Sequence, residues 1–191
     1  GWLRGRVGHT AVRTIDPRHR TERMDPPQPA RGAGSTFLLA TLCGAIYAIA
    51  LPAVGFYDNE GRYVEVARQM LARGDFVTPY LSGMPFLNKP PLTPWLTAAL
   101  LPHVPASEWV RLVSVMAAVV TLVATTRLGT HLSGRPHGLM AGVLLATTTG
   151  FVLEARTLRP DGLLVASIAM ALLCLWHATH AARLRIRWLV G

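Results

Sequence analysis

Residues 35–56 read STFLLATLCGAIYAIALPAVGF, a stretch that carries no charge. As a helix rising 1.5 Å per residue it reaches about 33 Å, enough to cross a hydrocarbon core of about 30 Å. Three further apolar runs follow, at 112–126, 138–153 and 162–176. Each is shorter than the usual ~20 residues, but small and aromatic neighbours extend them. None has the polar face that a helix on the surface of a soluble domain would carry. The chain as a whole is 51% hydrophobic and only 15% charged, against about a quarter charged in soluble domains. The reading is an all-α polytopic membrane protein with about four transmembrane helices, and with juxtamembrane helices in the loop 57–110.

A net charge of +9 would suit nucleic acid, but its distribution argues against that partner. Seven arginines precede Ser35, Arg127 and Arg135 lie between the second and third runs, and Arg183, Arg185 and Arg187 follow the fourth. The segment 56–110 instead holds Arg62, Arg68, Arg73 and Lys89 against Asp58, Glu60, Glu65, Asp75 and Glu108. Basic residues therefore alternate with the spans, as the positive-inside rule requires. This predicts a multi-pass protein of the cytoplasmic (inner) membrane, with the N-terminus and the 127–138 loop inside. The 57–110 loop and the short 154–161 loop then face outward, towards the periplasm. The first run is longer than a signal-peptide core of 7–15 residues, so a retained anchor is expected. Cys43 and Cys174 both fall at span depth and suggest neither a disulfide framework nor a metal-ligand spacing.

Residues 1–34 have no apolar period, include DPPQPARGAG, and are read as a disordered basic cytoplasmic tail. At the other end Arg187–Gly191 reads as the opening of a fifth span, so 35–191 is taken as the N-terminal part of a longer multi-span domain. Within the 57–110 loop, Asp58 and Asn59 are good helix N-caps and Gly74 a good stop. Between them Tyr63, Ala67, Met70 and Leu71 share one face, predicting an amphipathic helix of about three turns at the membrane surface. An extended stretch, FVTPYLSGMPFLNKPP, follows, and then LTPWLTAALL, too short to span and read as a second juxtamembrane helix.

The 40 residues from Asn59 to Ala98, NEGRYVEVARQMLARGDFVTPYLSGMPFLNKPPLTPWLTA, resemble the first outer loop of the polyprenyl-phosphate-sugar-dependent integral-membrane glycosyltransferases. These belong to the GT-C superfamily, which includes the lipid A aminoarabinose transferases and the protein O-mannosyltransferases. That family opens a juxtamembrane helix with an acidic pair and an arginine, and continues through a "GD" turn and an aromatic-rich extension to "KPP". The likeness continues more weakly to LRPDGLL, at 158–164, where the family has an acidic residue opening a span. One departure stands out. The family commonly reads Asp-Glu-x-Arg-Tyr, whereas this chain has Asn59-Glu60-Gly61-Arg62-Tyr63, with the aspartate displaced to Asp58. Asn88 also precedes Lys89 where some relatives carry a metal-binding acid.

The resemblance implies transfer of a sugar from a polyprenyl-phosphate donor to a lipid, glycan or protein acceptor, with membrane lipid as a second partner. Such a donor needs cations that hold the phosphate and stabilise it as it leaves. It also needs a carboxylate that takes the acceptor's proton or binds a divalent metal, the one cofactor the chemistry suggests. Arg62, Lys89 and Arg159 are the expected donor-binding cations, and Asp58, Glu60 and Asp161 the expected carboxylates. Asp161 lies about 100 residues downstream, yet the predicted topology returns it to the side that carries Asp58 and Glu60.

Each candidate has a plainer reading. Asp58 and Asp161 sit where a residue caps a helix, Glu60 and Glu65 read as no more than a solvated face, and Arg156 and Arg159 sit where one anchors a helix end among headgroups. The competing functional classes are a transporter or flippase and a non-catalytic portion of such an enzyme, inactive by itself. The four runs hold no Asp, Glu, Lys, Arg or His, which disfavours a transporter, because transporters place ionisable groups within their spans.

Overall fold

The computed structural model describes residues 33–57 and 59–190, with residues 33 and 181–190 as backbone alone. The predicted tail therefore lies outside the described residues, apart from its last two positions. Seven helices order the described chain: α1 (Ala33–Ala48), α2 (Glu60–Arg73), α3 (Leu92–Leu100), α4 (Leu112–Ser133), α5 (Arg135–Thr147), α6 (Thr149–Arg156) and α7 (Pro160–Val190). Short 3₁₀ turns at Leu51–Ala53, Leu101–His103 and Ser107–Arg111 connect some of them. Three segments are long and apolar enough to cross a bilayer: Gly34–Ala53, Ser107–Ser133 and Pro160–His180. The third predicted run forms not one straight helix but two, α5 and α6, bent by 66°; together they would make a fourth, broken span. Thr148 leaves the helical region at the break (φ −67°, ψ 120°). The hydroxyls of Thr147 and Thr148 both turn back onto the Leu144 carbonyl, at 3.2 and 2.8 Å, a back-bonding that tends to bend helices.

Two further differences concern lengths. The run predicted at 112–126 continues as α4 to Ser133, so the expected 127–138 loop contracts to a turn at Gly134, whose φ of 90° suits glycine. Likewise α7 runs unbroken to Val190, so Arg187–Val190 prolong that helix instead of opening a fifth span.

The bundle core forms where small residues let helices approach. On α5, Gly138, Gly142 and Ala146 recur every fourth position and are all buried, the small-xxx-small pattern by which helices associate in membranes. A Cβ placed on Gly138 would collide with the backbone of Thr126 and Thr130 on α4, and one on Gly142 with the Thr126 side chain. Gly138→Leu is therefore expected to force α4 and α5 apart, at a cost of about 1–3 kcal/mol or more. Thermal unfolding in detergent would show this as a lowered midpoint, whereas the same change at Gly150, which faces open space, should leave it nearly unmoved. Tyr47, Leu51, Val115, Ala118, Leu122, Ala146 and Ala155 complete the central cluster. The Tyr47 hydroxyl donates to the Ala146 carbonyl at 2.7 Å, so even the buried phenol is satisfied. Large apolar side chains of α1 and α7 point outward instead, among them Phe37, Leu38, Leu42, Leu164, Ile168 and Leu172, as lipid-facing helices allow.

The chain between α1 and α4 gathers at one end of this bundle, together with the α6–α7 connection; we call it the loop end. There the predicted amphipathic helix is α2, stopped by Gly74 at φ 68°, whose N–H bonds the Met70 carbonyl. Its buried face is wider than the sequence suggests. Tyr63, Ala67 and Met70 are buried as expected, Val64 and Val66 join them, and Leu71 is exposed. The extended stretch folds into a two-residue-turn hairpin pairing Tyr80 with Pro85 and Leu81 with Met84. Ser82 and Gly83 both take positive φ (52° and 83°), the geometry that matches strand twist in tight hairpins. Asp75 accepts the N–H groups of Val77 and Thr78, and the Trp95 indole donates to the Phe76 carbonyl at 2.7 Å. The last of these ties the hairpin to α3, the second juxtamembrane helix.

Candidate functional site

The loop end is organised around one buried ion pair. Glu60, the first residue of α2, is 2% exposed, and Arg111, the last residue before α4, is 4% exposed. The Arg111 guanidinium donates from Nε to Glu60 Oε1 (2.9 Å) and from Nη2 to Oε2 (2.7 Å), a bidentate pairing that suits its planar fork. Its other donors reach the carbonyls of Leu51 (2.8 Å), Val54 (2.7 Å) and Gly55 (2.8 Å). All five guanidinium N–H groups are thus used. Glu60 is equally saturated. Oε1 also accepts the Leu158 N–H at 2.6 Å, and Oε2 the Tyr57 N–H at 2.8 Å, filling the four acceptor positions of a carboxylate.

Four pieces of chain remote in sequence meet at these two side chains: the end of the first span, the start of α2, the start of α4 and the α6–α7 connection. Burial by itself would raise the Glu60 carboxyl's pKa. The Arg111 hydrogen bonds, with those from the Leu158 and Tyr57 N–H groups and the adjacent positive charge, outweigh it and hold the group below the ordinary carboxylate range. A carboxylate so held stays ionised and has no lone pair to spare. Around the pair, Tyr63, Val64, Val110 and Leu158 form a second apolar cluster that excludes water.

The other expected site residues are distributed as follows. Asp58 lies outside the described residues, between Tyr57, which donates to Glu60, and Asn59, the N-cap of α2. Arg62, one half-turn beyond Glu60, is exposed, as is Lys89 in the turn before α3. Among the described residues neither side chain makes a hydrogen bond or ion pair, so both guanidinium and ammonium remain able to meet an anion. Asp161 is exposed in the first turn of α7, three residues beyond the Leu158 N–H that Glu60 holds. The convergence of the 57–110 loop with the 154–161 loop is thus made by a direct hydrogen bond. Arg159 is partly exposed and lies 3.5 Å from Glu154, so it is already engaged with a carboxylate. Arg156 donates to the Tyr47 carbonyl at 3.0 Å, tying α6 to the end of α1. Among the described residues no three His, Cys, Asp or Glu side chains group to hold a metal ion.

Sequence reasoning missed Arg111. It falls between the acidic loop and the apolar run and belongs to neither. The available signal was charge arithmetic: residues 56–110 hold five acids and four bases, and the next residue supplies the missing cation.

A bundle of helices long and apolar enough to cross a membrane, with a folded connecting loop clamped at one end, defines a polytopic membrane protein. Residues 37–191 match the dolichyl-phosphate-mannose-protein mannosyltransferase family, and the chain belongs to it. Among relatives, it is 28% identical over 157 residues to the undecaprenyl phosphate-alpha-4-amino-4-deoxy-L-arabinose arabinosyl transferase of Pseudomonas aeruginosa strain PAO1, covering 80% of this chain and 28% of that protein. The enzyme of the same name from Serratia proteamaculans is 39% identical over 59 residues, covering 30% of this chain and 11% of that protein. The crystal structure of ArnT from Cupriavidus metallidurans bound to undecaprenyl phosphate has the same fold over 73% of this chain and 26% of its own, with a TM-score of 0.66 at 20% identity. The chain thus spans little more than a quarter of the length of the Pseudomonas relative and of ArnT.

Proposed function

We propose that this protein contributes the donor-binding loop end of an enzyme that transfers a sugar from a polyprenyl-phosphate carrier to a lipid, glycan or protein acceptor. The observation that carries the reading is the Glu60–Leu158 hydrogen bond at 2.6 Å. It joins the loop bearing Asp58, Arg62 and Lys89 to the loop bearing Asp161, as a two-loop active site needs. Family membership and the relatives' names, which specify an undecaprenyl-phosphate-linked sugar, support the same class of donor. The alternation of basic residues with the spans supports a cytoplasmic-membrane location with the loop end outward.

The chemistry then divides among the residues by their surroundings. An acceptor hydroxyl oxygen attacks the sugar's anomeric carbon, the carbon–oxygen bond to phosphate breaks, and the phosphate departs with the electron pair. Arg62 and Lys89, exposed and without partners among the described residues, stabilise the charge that develops on the phosphate. The hydroxyl proton passes to an aspartate, Asp58 or Asp161. Glu60 would have to surrender a hydrogen bond to accept that proton, so its part is to position the loop. Arg159, paired with Glu154, is a weaker donor contact than Lys89.

Lys89→Ala tests this reading in the intact protein. Loss of a charge-assisted phosphate contact costs about 1.5–3 kcal/mol, or roughly 10- to 100-fold in use of a polyprenyl-phosphate sugar. Because Lys89 is exposed, protein yield should be unchanged. A matched fall in yield and transfer would make it a structural lysine and remove the phosphate site from this loop.

A further inference from the structure

Beside the ion pair, between α4, α6 and α7, lies a pocket of about 190 Å³. At about 30 Å³ per water it holds roughly six, the volume of a single small ring and too little for a lipid chain. Its polar lining is Ser114 and Thr121 from α4, Glu154 from α6 and Asp161 from α7; Phe151 and Val165 are among its apolar wall. Two of these groups are unsatisfied among the described residues. Ser114 is 3% exposed and its hydroxyl has no hydrogen-bond partner. Glu154 Oε2 is buried and likewise unpartnered, while Oε1 faces Arg159. Thr121 spends its proton on the Ala117 carbonyl at 2.8 Å, so towards the pocket it can only accept.

Buried polar atoms without partners are costly and uncommon. Here they line the same small space and share one character. A carboxylate oxygen, a threonine oxygen and an exposed second carboxylate all accept hydrogen bonds, and the serine hydroxyl can do either. The matching occupant is small, compact and rich in donors, with a hydrocarbon face to lie against Phe151 and Val165. A monosaccharide ring has these properties. A phosphate, which only accepts at neutral pH and would meet two carboxylates, does not.

We infer that the pocket between α4, α6 and α7 is the subsite for the sugar ring of the donor, with Glu154 and Ser114 as its specificity-determining contacts. This rests on the proposed function, since it places the ring against Asp161, which lines the pocket, while the phosphate stays with the exposed cations. Glu154 is not the proton acceptor in this arrangement; it accepts a hydrogen bond from a ring hydroxyl or ammonium group and fixes the ring's orientation.

The test compares binding of three ligands to the intact purified protein in detergent: undecaprenyl phosphate alone, the same lipid carrying an aminopentose, and the same lipid carrying a neutral hexose. The wild type should bind one sugar-bearing lipid more tightly than the bare lipid. Glu154→Gln and Ser114→Ala should each remove that advantage, about 10- to 100-fold for the charged group and less for the hydroxyl, with bare-lipid affinity unchanged. The unchanged bare lipid also reports that the variants are folded. Which sugar suffers the larger loss tells whether an ammonium or a hydroxyl meets Glu154. If sugar-bearing and bare lipids lose affinity equally, or if neither variant alters the sugar's advantage, the subsite is overturned while the donor class stands. If the wild type binds none of the three, the proposed function fails, and the subsite with it.

Discussion

Replacing Arg111 by alanine is expected to destabilise the protein by about 3–5 kcal/mol, the usual result of removing one partner from a buried ion pair. The loss has two sources. Glu60 would remain buried and charged with only the Leu158 and Tyr57 N–H groups for support, and the carbonyls of Leu51, Val54 and Gly55 would lose their common donor. Glu60→Ala should cost a similar amount, and the double variant much less than the sum, because the two side chains share one network. Unfolding in detergent followed by helical content would measure all three. Strict additivity would show that the two residues act independently, contrary to the bidentate geometry.

The same network predicts a pH dependence with a definite sign. The Glu60 carboxyl is held below its ordinary range in the folded protein, so the unfolded chain takes up its proton first as the solution is acidified. The clamp's contribution is complete above the unfolded value of about 4.3 and is lost as pH falls towards the folded value. The unfolding midpoint should carry no Glu60-dependent change between pH 7 and 5 and should decline below that. Arg111→Ala should weaken the decline.

The second large effect separates two acids with one residue between them. Asp58→Asn is expected to lower sugar transfer by roughly 10²–10⁴-fold, the range for loss of a general base, at unchanged protein yield. Glu60→Gln should instead lose yield and transfer together, since an amide cannot accept four hydrogen bonds or balance a buried guanidinium. The assay is transfer from a polyprenyl-phosphate sugar in the intact protein, with folded protein quantified beside it. Full transfer by Asp58→Asn, with selective loss in Glu60→Gln, would reverse the two roles. If transfer survives in both, the proton goes elsewhere, and Asp161→Asn becomes the decisive variant.

The distinction between Glu60 and its neighbours was not legible in the sequence. Asp58, Glu60, Arg62, Lys89 and Asp161 could all be picked out as polar residues near apolar runs, and the resemblance of the 59–98 stretch gave them a common chemistry. That Glu60, alone of these among the described residues, is held in a buried ion pair could not be read, because it depends on Arg111, 51 positions from Glu60. The α6–α7 connection was placed correctly on the side of the 57–110 loop by counting spans, but the bond that joins them runs through a backbone N–H, which has no sequence signature.

What the sequence by itself determined were the apolar segments, the two juxtamembrane helices and the Gly74 stop. These follow from local physics, namely uncharged stretches that prefer hydrocarbon to water, turn residues at their preferred conformations, and helical periodicity. Only the tertiary structure decided that the third apolar run breaks at Thr148, that Gly138 and Gly142 bring α5 against α4, and that Glu60 is a buried clamp while Arg62 and Lys89 stay open. Each of those depends on which atoms of distant segments come within a hydrogen bond or a van der Waals contact. Pairings of that kind carry no trace in local composition, because the same glutamate, exposed or buried, is spelled the same way.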